Sequence, residues 1–291
     1  MRILGDQRRS RVTVRTVGAI RCGLVDAARI HWPLVERGGR SWKSADTPIA
    51  PDGRAEVGVN WLCIAGPEAT ILVDPVSWKE PVQVDEGASD LYPMISLSRA
   101  LNRLGVEPSA VTHVILTHWH IDHLAGLIDS DGNPCFPAAT HYFPAADWQP
   151  LVEAVADASE EQILSAMRAV DAAGQLVLTE GDLEISEEVT IHWTGGETPG
   201  HQVVHVVSDE DEAIYLGDLV HFPNEISEPS WVAVEWRNDP ELRAAREYWL
   251  GHAATRAAHV AFTHGRAPAW GCIEAEGGRF SWRYDEEPHR A

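Results

Sequence analysis

The chain has 291 residues, 44% of them apolar, and 23 basic against 44 acidic side chains give it a formal charge of −21 at pH 7. This length and apolar content suit one large α/β domain or two small ones. So acidic a surface repels phosphate backbones and anionic headgroups, which argues against nucleic acid and membrane surfaces as partners.

Residues 1–55 read as an N-terminal extension packing on the core, with RVTVRTVGAIRC as a strand candidate and WKSADTPIAPDGRAE as a polar connection. Residues 56–291 read as the main domain, the whole being a single unit. Its first strands are VGVNWLCIAG (57–66) and ATILVDPV (69–76), joined as a hairpin at Gly66-Pro67-Glu68. MISLSRALNRLG (94–105) has helical spacing and a closing glycine. VTHVILT (111–117) and ATHYFP (139–144) are strand-like, and 151–173 carries the spacing of one or two amphipathic helices. A β-rich run over 176–220 contains VTIHW, QVVHVVS and EAIYLGD, followed by a helix at 241–257 and a short final strand, HVAFTH (259–264). Strands in two batches, each followed by helices, predict the α/β class with two mixed sheets face to face and helices outside, an αββα sandwich. No glycine-rich phosphate loop follows an early strand, against a nucleotide-binding fold. Four separated cysteines without a CxxC pair, no signal-peptide pattern and no membrane-spanning stretch lead us to expect a soluble, cytoplasmic protein with reduced thiols.

The chemistry concentrates in THWHIDHLAG (117–126). Alternate residues leaving a strand point the same way, so His118 and His120 reach one point. Asp122 and His123 follow where the chain turns into a helix and aim at a second point nearby. Further donors stand at later strand ends: His201 in TPGH, Asp218 in YLGD and His264 in FTHG, each beside a glycine (Gly200, Gly217, Gly265) that lets backbone pass tightly. Nitrogen and oxygen donors without a thiolate suit zinc first, with manganese and iron also accommodated. A carboxylate such as Asp218 is able to bridge two cations that histidines bind singly.

HWHIDH, TPGH, LGD and THG, in that order between about Val57 and Gly265, resemble the metallo-β-lactamase superfamily with its HxHxDH motif. The resemblance implies a site for two divalent cations. His118, His120 and His201 would hold one, Asp122, His123 and His264 the other, and Asp218 would bridge them. It also implies hydrolysis by a hydroxide shared between the ions, with Asp122 and Asp218 as catalytic carboxylates. Thr117 and Asp74, the latter in the family's strand-end aspartate position, would orient the ligands. HLAG departs from the family's usual glycine pair at Ala125 without touching a ligand.

The segment LGDLVHFPNEISEPSWVAVEW, with FPAADW at 143–148, is similar to the branch holding methyl parathion hydrolase and N-acyl-homoserine lactonases. Such enzymes act on small, largely uncharged esters, lactones and phosphotriesters. Trp119, Phe222, Trp231 and Trp236 are candidates for an apolar substrate pocket, with His221 as an added polar contact. Arg266 is the cation to consider for a substrate carboxylate. The remaining histidines lack ligand spacing and read as structural. A small-molecule substrate is the expected partner, and a homodimer is compatible with the sequence. Three other readings compete: a mononuclear iron enzyme resembling persulfide dioxygenases; a glutathione thioesterase, weakened by the short acidic tail after His264; and a non-catalytic metal-binding protein.

Overall fold

Strands covered on both faces need apolar side chains at successive positions, and the central strands of this chain have them. The computed structural model describes residues 11–33, 36–37, 40–41, 49–84, 89–153, 158–231, 239–266 and 270–285. The chain opens with β1 (Val12–Val17) and β2 (Ile20–Trp32), then the short pair β3 (Glu36–Arg37) and β4 (Arg40–Ser41). Next come β5 (Ala55–Ala65), β6 (Thr70–Val73), β7 (Val82–Val84), β8 (Ser89–Pro93), β9 (His113–Ile115), β10 (Thr140–Pro144) and β11 (Leu176–Thr179). Apart from β3 and β4, these form one sheet in the order β11-β10-β9-β6-β5-β2-β8-β7, with β1 paired to β2. The pairs β6/β9, β9/β10 and β10/β11 are parallel and the others antiparallel, so the sheet is mixed.

The second sheet runs in chain order through β12 (Leu183–Glu184), β13 (Val189–Trp193), β14 (Gln202–Ser208), β15 (Asp211–Tyr215), β16 (His259–Ala261), β17 (Gly271–Glu276) and β18 (Arg279–Tyr284). Among the described residues only β15/β16 is parallel there. Around the sheets lie α1 (Leu97–Leu104), α2 (Ile121–Leu124), α3 (Ala145–Glu153), α4 (Ala158–Ala172), α5 (Pro223–Ser227) and α6 (Asp239–Arg256).

Strand alternation sorts the core into three layers. Ile71, Val73 and Ile115 join Leu62 and Ile64 between the sheets, where they meet Val204, Val206, Tyr215 and Trp270 of the second sheet. Their neighbours Leu72 and Val114 face outward against Leu101 of α1 and Met167 of α4. On the far side, Ile214 and Val260 pack against Leu242, Trp249 and Leu250 of α6. This is the αββα sandwich expected from the strand batches. Among the described residues no helix is long and apolar enough to cross a membrane.

The strand candidate near the start of the chain joins the first sheet: β2 pairs with β5 from Arg21 to Trp32 and with β8 from Ala28 to His31. A bulge between Asp26 and Ala28 and the buried Asp26, bound by Arg11 and Arg29, break the apolar run that would have marked a central strand. One expectation needs correction: HVAFTH, which holds β16, is not the last strand. β17 and β18 extend the second sheet through a two-residue Gly277-Gly278 turn in which both φ are positive, 58° and 78°, as a tight hairpin of this kind requires.

The strand arrangement positions the site. β6 and β9 run parallel in one sheet, and β15 and β16 run parallel in the other. The segments leaving them carry Asp74, Thr117 to His123, Asp218 and His264.

Candidate metal centre

Asp74 directly follows β6 with a left-handed φ of 52°, a conformation that aspartate tolerates better than most residues. From there one carboxylate organises the histidine segment. It accepts the Thr117 N–H at 2.8 Å, the Thr117 hydroxyl at 2.7 Å and the His123 Nδ1–H at 2.8 Å. Having donated to Asp74, the Thr117 hydroxyl accepts from His118 Nδ1 at 3.0 Å. The Thr194 hydroxyl donates to the His201 carbonyl at 3.0 Å and so accepts from His201 Nδ1 at 2.7 Å. His264 Nδ1 donates to the Gly58 carbonyl at 2.9 Å. The network thereby assigns the proton of all four rings to Nδ1 and leaves each Nε2 as the acceptor, the tautomer an imidazole needs to bind a cation.

The donors gather in two overlapping groups. On one side, His118 Nε2 lies 2.9 Å from His120 Nδ1 and 3.8 Å from Asp218 Oδ2, and His120 Nδ1 lies 3.7 Å from Glu197 Oε1. On the other, His264 Nε2 is 3.3 Å from Asp122 Oδ2 and 3.1 Å from Asp218 Oδ2, while His123 Nε2 is 3.9 Å from Asp122 Oδ1 and 3.3 Å from Asp218 Oδ1. Asp218 belongs to both groups. Gly217 makes this approach feasible: its φ is 54°, and a Cβ there would lie 2.9 Å from His201 Nε2.

Burial and charge oppose one another in this cluster. Burial, with His123 and His120 alongside, holds His118 well below the usual histidine range. His123 is buried too, but Asp218, Asp74 and Asp122 outweigh the burial and raise it well above that range. Burial pushes Asp122 up against the pull of His123 and His264. In Asp218 the burial effect is overcome by His264, His123 and His221, which hold it well below the carboxylate range.

Of the residues singled out in the sequence, His118, His120, Asp122, His123, Asp218 and His264 converge, with Thr117 and Asp74 behind them. His201 stands beside them, its ring centroid 5.3 Å from that of His118 and its Nε2 accepting the Asp218 N–H at 3.1 Å. The fourth donor grouped with His118, His120 and Asp218 is instead Glu197. His221 is next to the site: Nε2 is 3.1 Å from Asp218 Oδ2, and the ring stacks on His264 at 4.9 Å and 8°. Trp119 lies edge-on to His120 at 4.9 Å. Phe222 and Trp231 are buried in the following segment, and Trp236 lies outside the described residues.

Three contributors had gone unrecognised. Trp32, at the end of β2, places its ring 4.8 Å from His264, 5.5 Å from His221 and 6.4 Å from Phe222. Buried Asp147 accepts from Trp119 N–H, Thr198 hydroxyl and Gly200 N–H, tying the HWH segment to the TPGH turn. Glu197 is the residue immediately before TPGH, and its place in the motif was the only available signal.

The donor set fits divalent cations. Donors about 2 Å from a tetrahedral ion stand roughly 3.3 Å apart, and the separations above scatter around that value. The chemistry agrees, with imidazole nitrogens turned inward and carboxylates between them.

The family profile described as the metallo-beta-lactamase superfamily matches residues 54–270. The chain therefore belongs to that superfamily. An N-acyl homoserine lactonase of Bacillus thuringiensis is 26% identical over 116 residues, which is 40% of this chain and 41% of that protein. The alignment thus spans well under half the length of the curated relatives. Among solved structures, the dizinc quorum-quenching lactonase AidC, bound to the product N-hexnoyl-L-homoserine, superposes with a TM-score of 0.72 at 17% identity over 96% of this chain and 98% of its own. The hydrolase AbOPH gives 0.73 at 18% identity over 97% and 100%. A probable metal-dependent hydrolase from Staphylococcus aureus gives 0.75 at 18% identity over 94% and 100%. These likenesses establish the fold.

Proposed function

We propose that the protein is a binuclear metal-dependent hydrolase of a small, largely uncharged ester, lactone or phosphotriester. The observation that carries this reading is the position of Asp218 in two donor groups at once, between His118 and His120 on one side and Asp122, His123 and His264 on the other. A pair of divalent cations held there would bring a water toward ionisation near neutral pH and neutralise charge developing on the attacked oxygen. Zinc suits the donor set, as do manganese and iron.

The chain's own groups supply the rest. Asp74 and Thr117 hold His118 and His123 in the ligating tautomer. Asp122, close to both His123 and His264, would pass a proton to the departing oxygen. Trp32, Trp119 and Phe222 offer apolar surface beside His264, His120 and His221. Among the described residues, Arg246 is buried against Glu225 and exposed Arg266 lies over the Tyr284 ring at 5.6 Å, which favours an uncharged substrate.

The test is hydrolysis by zinc- and manganese-loaded protein of acyl-homoserine lactones, aryl esters, an aryl phosphotriester, a glutathione thioester and a β-lactam. The reading predicts turnover of one of the first three classes, lost in Asp218→Asn. Silence on all three would overturn it.

A further inference from the structure

We infer that Glu197 is an eighth metal-binding side chain, its carboxylate completing the donor set on the His118–His120 side. The inference rests on the binuclear reading above and adds a ligand to it. Glu197 has 2% exposure, and a donor atom from each of His118, His120, Glu197 and Asp218 lies within 4.8 Å of the others. Its Oε1 is 3.7 Å from His120 Nδ1 and 3.9 Å from His221 Nε2, so it reaches the site between two rings. The loop around it is fixed from outside the site: Glu197 N–H donates to the Gly195 carbonyl, and Asp147 clamps Thr198 and Gly200 just beyond. A buried carboxylate is retained when it is paired or binds a cation, and this one shares its group with imidazoles and a second carboxylate.

His201 stands on the same side, its Nε2 3.1 Å from the Asp218 backbone N–H, and Glu197 adds to it. A carboxylate added to these imidazoles brings one more negative charge and makes the donor set harder.

The test compares wild-type protein with Glu197→Gln, which keeps size and polarity and removes the charge. Metal-free samples are titrated with Zn2+ against a chromophoric chelator, and Co2+-loaded samples are read by visible absorption. We expect wild type to bind two ions per chain, and Glu197→Gln to keep one site while losing at least about tenfold affinity at the other, with an altered Co2+ spectrum. We also expect the metal-free variant to resist denaturant at least as well as metal-free wild type, because a buried charge has gone. Two ions bound at wild-type affinity with an unchanged Co2+ spectrum would overturn the assignment while leaving the binuclear reading intact. So would a metal-free variant that unfolds more readily than wild type, which would mark Glu197 as structural. Wild-type protein that binds fewer than two ions would overturn both.

Discussion

Asp74 shows how one side chain determines what several others do. Its two oxygens serve Thr117 twice and His123 once, and through the Thr117 hydroxyl they also set the proton of His118. Asp74→Asn keeps the left-handed backbone, because asparagine also tolerates it, but puts an NH2 group where an acceptor is needed. We predict a folded variant with about 10- to 100-fold weaker metal affinity, the range typical of partners that orient ligands; chelator competition reads it, and unchanged affinity would contradict the role. At this scale the sequence was informative because the candidate ligands sit at strand ends within recognisable short motifs. Trp32 and Glu197 escaped notice for a different reason. Their significance lies in what they approach across the fold, the His264 ring in one case and the His118–His120 pair in the other, and neither approach leaves a local pattern.

At the level of elements, α6 anchors the segment that follows Asp218. Buried Arg246 donates to the carbonyls of Leu219 and Trp231 at 2.6 Å each and pairs with Glu225 at 2.9 Å. Glu225 in turn accepts the N–H groups of His221 and Phe222 at 2.6 and 3.2 Å, at the start of α5. Arg246→Met would strand a buried carboxylate beside the site, which costs about 3–5 kcal/mol. Urea denaturation should show that loss, and a change below about 1 kcal/mol would mean that the pair is not the anchor. The outer face of α6 docks through Glu212 of β15, which accepts from His205 and His252 at 2.9 and 2.8 Å and pairs with Arg256. Burial would raise this carboxyl, but Arg256, His252 and His205 overcome it and lower it from 4.5 to about 2. A depressed carboxyl contributes stability that is present above pH 4.5 and lost as the pH falls toward 2. Metal-free wild type should therefore lose stability over that window faster than metal-free Glu212→Gln. Parallel pH profiles would contradict the linkage. Helix and strand positions were largely evident from periodicity, whereas β7 and β8 are too short to show it, and the alternation of Arg279-Phe280-Ser281-Trp282 in β18 went unread.

For the whole molecule, the first 55 residues matter more than their composition implied. β2 lies between β5 and β8 and carries Trp32 to the His264 ring. A chain begun at residue 56 would expose the edges of β5 and β8 and lose the strand joining them. It should be recovered aggregated or unfolded by circular dichroism and gel filtration. A soluble, folded truncation binding two ions would show that the sandwich closes without β2. The layered fold itself was legible because two batches of strands with intervening helices allow few arrangements. The place of β2 was not, because a bulge and the buried Asp26 interrupt its apolar face.

The proposed function requires one edge of the fold to hold two cations around Asp218, both serving hydrolysis. The most direct measurement titrates metal-free protein with Zn2+ while native mass spectrometry counts bound ions and the hydrolysis rate of the best substrate is followed in the same samples. Activity should rise to a maximum at two ions per chain, and an Asp218→Asn variant should be at least about 100-fold less active with weakened binding at both positions. One iron per chain, with oxygen consumed and no ester, lactone or phosphotriester cleaved, would contradict the proposed function.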